Sequence, residues 1–200
     1  MKTTLRRAAA ALTLLLGSLQ SSAAEPASAT AIFAGGCFWC VESDFEAVEG
    51  VTAAISGYTG GHLENPSYDT VTRGNTGHFE AVEVHYDPSI VSYRELLSVF
   101  WKNIDPLDHR GQFCDKGTSY RSAIFTLDDS QYRSALASLE EARQTLGEGA
   151  KIVTPIIPAS TFYPAEDYHQ DYYKKNPLRY KYYRWNCGRD ARLEELWGKP

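Results

Sequence analysis

A short apolar run, Ala31-Ile32-Phe33-Ala34, closes on Gly35-Gly36, and helical spacing starts at once after Cys37. A buried strand that turns directly into a helix admits few architectures, and the natural one packs helices against a sheet. The two glycines let the backbone approach its neighbours closely at that turn. Cys37 therefore sits at a strand-to-helix junction, ahead of a helix expected over Phe38–Val48. Free amides and the positive end of the helix dipole favour a thiolate at such a place. Cys40 completes a C-x-x-C pair, with Phe38 and Trp39 filling the gap as an apolar wall.

The rest of the chain continues the alternation. Gly50–Tyr58 reads as a strand ending at Thr59-Gly60-Gly61, followed by a polar loop that carries Tyr68. Phe79–Tyr86 is a strand with period-two patterning. Glu80, Val82, Val84 and Tyr86 share one face, so Glu80 falls on the apolar side, where lost hydration should raise its pKa. Ser92–Ile104 is a helix opened by a Ser92/Glu95 capping box. Asp105–Ser119 reads as a loop and Ala123–Leu127 as a strand. Asp128 caps a helix with an apolar stripe of Tyr132, Ala135, Leu136, Leu139 and Leu146, stopped by Gly147 and Gly149. Ile152–Ile157 is an expected edge strand, because Pro155 cannot donate to a ladder. Pro164 is expected to open a helix through Tyr173, with a Tyr-rich stretch after Pro177 and a last helix over Arg189–Trp197. The expected fold is α/β (α+β): one two-layer domain with a mixed sheet and packed helices.

The 200 residues, 43% hydrophobic, suffice for one packed core over residues 31–200. A net charge of −5 argues against a nucleic-acid partner. Beyond the N-terminus no stretch approaches a membrane span, so no membrane partner is expected. The N-terminus has its own layout: Lys2, Arg6 and Arg7, then apolar Ala8–Leu16, then small residues to Ala24. This is the pattern of a signal peptide over residues 1–24, with a flexible leader over 25–30. Export to the periplasm would place the four cysteines in an oxidising compartment.

A cysteine nucleophile needs an acid for the leaving oxygen, donors to hold a polar substrate group, and a second thiol to resolve an oxidised product. Glu80 suits the first need; Tyr68 and Tyr120 suit the second. Two other readings compete: a general C-x-x-C thiol–disulfide oxidoreductase, and a non-enzymatic domain braced by two disulfides. A zinc site from Cys37, Cys40, Cys114 and Cys187 fits poorly, since zinc sites pair two C-x-x-C units and only one is present. His78 and His169 are read as structural hydrogen-bonding residues.

Five segments in order, Gly36–Trp39, Gly57–Gly61, Thr76–Val82, Gly117–Ser122 and Ala165–Gln170, make the chain resemble the A-class peptide-methionine sulfoxide reductases. The resemblance implies reduction of S-epimer methionine sulfoxide, free or in oxidised proteins, by a monomer with no bound cofactor or metal and a thioredoxin-like reductant. It implies Cys37 as nucleophile, Glu80 as acid, Tyr68 and Tyr120 as donors to the sulfoxide oxygen, and Asp115 completing the polar side. Phe38 and Trp39 would hold the substrate methyl group. The chain departs from the family pattern in its other cysteines. Cys40, one helical turn from Cys37, and Cys187, beside Gly188, are equal candidates to resolve Cys37; Cys114, next to Asp115, is the third.

Overall fold

The computed structural model describes residues 28–198. The expected signal peptide, residues 1–24, and the first half of the 25–30 leader lie outside the described residues. The expected leader ends early, because strand β1 (Ala29–Gly35) already includes Ala29 and Thr30.

The elements alternate as the sequence suggests. After β1 come α1 (Phe38–Glu46), β2 (Val51–Thr59), α2 (Tyr68–Arg73), β3 (Phe79–Tyr86) and α3 (Tyr93–Lys102). A small hairpin, β4 (Gly111–Gln112) and β5 (Asp115–Lys116), precedes a 3-10 turn at Thr118–Tyr120 and then β6 (Ser122–Thr126). The chain ends with α4 (Asp129–Leu146), β7 (Ile156–Pro158), β8 (Tyr163–Pro164), α5 (Tyr172–Lys175), α6 (Pro177–Asn186) and α7 (Arg189–Trp197). The main sheet runs β7-β6-β1-β3-β2-β8, and only the β6/β7 pair is parallel.

β3 presents its two faces as its alternation demands. Val82, Val84 and Tyr86 join the larger core, with Phe33 of β1 and Leu96, Leu97 and Phe100 of α3. Ala81 faces the other way, onto a smaller cluster with Ile32, Ala123 and Phe125, covered by Ile157, Ala159 and Phe162. Glu80 is on the helix-covered side and is fully buried.

Five expectations need correction. Tyr68 is not in a loop: it opens α2, whose capping box is made by Ser67 and Thr70. Of the expected 152–157 strand only Ile156 and Ile157 join the ladder, within β7, which is an edge strand as expected. Pro164 belongs to β8 rather than starting a helix, and turns carry the chain to Asp171 in the left-handed region, where α5 begins. The Tyr-rich stretch is a proline-started helix, α6. The α4 stripe is also narrower than expected, since Tyr132 and Leu136 are exposed while Ala135, Ser138 and Ala142 face the core.

Candidate active site

The β1–α1 turn places Cys37 as the N-cap of α1. Gly36 is at φ +84°, and a Cβ there would lie 2.5 Å from Gln112 Cβ, so glycine is needed twice over. Gln112 is itself fixed, exchanging hydrogen bonds with the backbone N–H and C=O of Asp105 at 2.8 and 2.7 Å. The turn therefore has little freedom, and Cys37 is held facing a small recess of about 70 Å³. Its lining comprises Cys37, Phe38, Trp39, Tyr68, Glu80, Asp115, Tyr120 and Tyr183. Seven of these eight are sequence-derived candidates. Tyr183, on α6, is the one that sequence reasoning missed.

Glu80 reaches this recess from the start of β3, and its Oε2 accepts a bond from the Phe38 N–H at 3.1 Å. Burial raises its pKa to about 8, and the nearby Asp115 charge adds to the rise, against the lowering effects of the Phe38 amide and Tyr120. The carboxyl is thus protonated at neutral pH and able to donate a proton. The Tyr68 and Tyr120 hydroxyls interact with each other, and burial and the Glu80 charge push both pKa values up. Both phenols are neutral donors. Asp115, on the hairpin strand β5, accepts a hydrogen bond from the Tyr183 hydroxyl. Burial raises the Asp115 pKa as well.

The two sulfurs of the C-x-x-C share a hydrogen bond and pull in opposite directions. Burial, Cys40 and the Glu80 charge raise Cys37 well above an ordinary thiol, whereas the Tyr183 hydroxyl lowers it. Cys40 is lowered to about 7, first by its bond with Cys37 and then by Arg189 and Arg184, against its own burial. Burial thus opposes the low Cys37 pKa expected at the helix start, and the lowered value falls on Cys40 of the pair. The pair loses a first proton near neutrality and a second only far above it, with the remaining proton shared between the sulfurs.

Cys114 and Cys187 are bonded to each other, while Cys37 and Cys40 are free thiols. Cys40 and Cys187, the candidates that sequence left level, are thus in different states. Cys187 and Cys114 form a bridge across 73 residues of chain, and Cys40 remains as the thiol beside Cys37.

The segment Ala165–Gln170 contributes no side chain to the recess, yet it holds the ones that do. Glu166 accepts bonds from the Tyr58 hydroxyl and the Tyr68 backbone N–H, both at 2.9 Å. His169 Nδ1 accepts from the Trp39 indole N–H at 3.1 Å, which assigns its own proton to Nε2. Burial lowers the His169 pKa and keeps the ring neutral. Gln170 bonds both the N–H and the C=O of Ser56, at 2.9 and 2.8 Å. His169 has the structural role read from sequence, but from a turn and not from a helix. His78 likewise ties a loop, with Nε2 2.8 Å from the Leu63 carbonyl. Phe38 is buried against Tyr58, Tyr68 and His169, and Trp39 stacks on Tyr172 with ring centroids 3.6 Å apart.

The sequence model of the family described as "Peptide methionine sulfoxide reductase" matches residues 29–200, all but the N-terminal segment. The chain belongs to the peptide methionine sulfoxide reductase family. As a member it is a methionine sulfoxide reductase. The chain is 51% identical to peptide methionine sulfoxide reductase MsrA 2 of Caulobacter vibrioides, over 94% of this chain and 95% of that protein. It is 53% identical to the Rhizobium meliloti protein of the same name, over 90% of this chain and 88% of that one. Among solved structures, methionine sulfoxide reductase A of Corynebacterium diphtheriae aligns with a TM-score of 0.73 at 36% identity, covering 78% of each chain. Reduced Mxr1 of Saccharomyces cerevisiae aligns at 0.70 and 34% identity, covering 75% of this chain and 86% of that one. The family's architecture and this chain's mixed sheet with packed helices agree.

Proposed function

We propose that this chain reduces the S epimer of methionine sulfoxide, free and in oxidised proteins, with Cys37 as nucleophile. The observation that carries the reading is the buried, protonated Glu80 carboxyl in the same small recess as Cys37. The recess suits the end of one side chain, and its polar groups are donors suited to a sulfoxide oxygen.

Cys37 sulfur attacks the sulfoxide sulfur while Glu80 protonates the oxygen and Tyr68 and Tyr120 hydrogen-bond it. Phe38 and Trp39 provide the apolar contact for the methyl group, and Asp115 orients the polar side. Attack forms an S–S bond as the protonated oxygen leaves the methionine sulfur as water; return of that oxygen to the Cys37 sulfur breaks the S–S bond, expels methionine and leaves Cys37 as a sulfenic acid. Cys40 is the resolving thiol on this reading. It lies one turn along α1, already bonded to Cys37, and its low pKa makes it a competent nucleophile at neutral pH. Its attack forms the Cys37–Cys40 disulfide and releases water.

Two electrons from an external dithiol restore the pair, and no bound cofactor is required. A thioredoxin-type protein fits that role, and Mxr1 of Saccharomyces cerevisiae has been solved in complex with Trx2. The N-terminal leader supports export to the periplasm, and the enzyme is read as a monomer. With dithiothreitol, purified protein should convert a chiral S-sulfoxide to the sulfide, leave the R epimer, and lose activity in Cys37→Ser. Equal turnover of both epimers, or full activity in Cys37→Ser, would refute the reading.

A further inference from the structure

The Cys114–Cys187 bridge lies where a chemical role would place it, although the proposed mechanism resolves Cys37 through Cys40. Cys114 directly precedes Asp115, whose carboxylate takes a hydrogen bond from Tyr183. Cys187 follows Tyr183 by one helical turn and caps α6, so the two side chains leave the same side of the helix. The hairpin and α6 are thus joined twice, by a covalent bond and, alongside it, by the Tyr183–Asp115 hydrogen bond. The Tyr183 hydroxyl also meets the sulfur of Cys37. It has one proton and two neighbours able to accept it, Asp115 and the Cys37 sulfur.

Other contacts hold the two pieces mainly to their surroundings: Arg184 of α6 pairs with Asp44 of α1 at 2.7 Å, Tyr180 is buried beside Cys40, and the Arg189 guanidinium lies 4.5 Å over the Phe113 ring of the hairpin. The hairpin strands are two residues each and stand apart from the main sheet. The outer face of α6 is in solvent, with Leu178, Tyr182 and Trp185 strongly exposed. By contrast α7 is anchored independently. Arg189 bonds the Asn103 carbonyl at 2.6 Å, and the Trp197 indole bonds the Ile104 carbonyl at 3.1 Å. Loss of the bridge would therefore loosen the hairpin–α6 joint and leave the C-terminus attached.

We propose that the Cys114–Cys187 disulfide is a positioning device for the reaction, holding Tyr183 on Asp115 and Cys37, so that breaking it slows attack by Cys37 itself and not only recycling. Tyr183 is then a further catalytic residue, because its hydroxyl touches the reacting sulfur, while Cys114 and Cys187 act through it. The inference rests on the sulfoxide-reductase reading for its rates but not for its second readout.

The test compares the full chain carrying the bridge with Cys114→Ser/Cys187→Ser. A single turnover without external reductant measures methionine released. The double variant should show the same amplitude at a rate about tenfold lower, the size expected for one misplaced hydrogen bond. Tyr183→Phe should cost about the same, and the combined variant no more than either alone. The second readout is the pH dependence of Cys37 alkylation in a Cys40→Ser background, which needs no sulfoxide. Both changes should move the profile to higher pH. Should the double variant fold poorly, phosphine reduction of the exposed bridge in the unmodified chain to two thiols should slow the turnover, and reoxidation should restore it. An unchanged single-turnover rate and alkylation profile, with loss confined to turnover by a protein dithiol, would overturn the proposal and make the bridge a relay. Multiplying losses from Tyr183→Phe and the double variant would also overturn it.

Discussion

Glu80 shows how a single residue serves chemistry at a cost to stability. Its carboxyl is protonated in the folded chain up to about pH 8, whereas an ordinary glutamate ionises near 4.5. The folded state then binds the extra proton across that window. The Glu80 contribution to stability therefore falls as pH rises from about 4.5 to about 8, by a few kcal/mol in all, since each unit is worth about 1.4 kcal/mol. Glu80→Gln removes this slope. Thermal melts should show the variant gaining on the parent steadily between pH 5 and pH 8. The catalytic effect has the opposite sign: Glu80→Gln should lower kcat by about 10²–10⁴-fold. In the parent, the rate should decline as pH rises through about 8, where the acid is lost. The sequence disclosed this residue through period-two patterning, which puts a carboxylate in register with Val82, Val84 and Tyr86, and through the family resemblance; its place at the strand's start left a solvent-reaching side chain as the alternative. It could not disclose Tyr183, because that tyrosine sits among several in a stretch without clear periodicity, and only the packing of α6 selects one of them.

Among the elements, those with regular patterning were legible and those held by tertiary contacts were not. β3 and α3 declare themselves by alternation and by the Ser92 capping box. Residues 165–171 do not form the expected helix because their backbone and side chains are engaged elsewhere. The Ala165 N–H bonds the Ser56 carbonyl at 2.8 Å, and Gln170 bonds that same residue. The Asp171 N–H goes to buried Glu42 at 2.6 Å. These bonds make the segment a clamp on β2, α1 and α2 rather than a helix. Glu166→Ala should free the Tyr68 N–H and leave the buried Tyr58 hydroxyl unpaired. Misplacement of Tyr68 is expected to lower kcat/KM about tenfold, and the unpaired hydroxyl should cost about 1–3 kcal/mol in denaturant unfolding. Unchanged kinetics in this variant would mean that Tyr68 is positioned by α2 alone.

Across the whole molecule, the cysteines divide into two pairs with separate duties. Sequence could not make that division, because pairing depends on where α6 returns to the hairpin, far away in the chain. Closing 73 residues of chain should stabilise the fold by about 2–4 kcal/mol. Cys114→Ser/Cys187→Ser should melt correspondingly earlier, while Cys40→Ser should not. On the proposed mechanism the buried pair is left for chemistry, with Cys37 receiving the oxygen and Cys40 removing it. Peptide mapping by mass spectrometry after one turnover, with excess sulfoxide and no reductant, tests that division most directly. The expected result is a Cys37–Cys40 disulfide alongside an intact Cys114–Cys187 bridge; a disulfide joining Cys37 to Cys114 or Cys187 would contradict it.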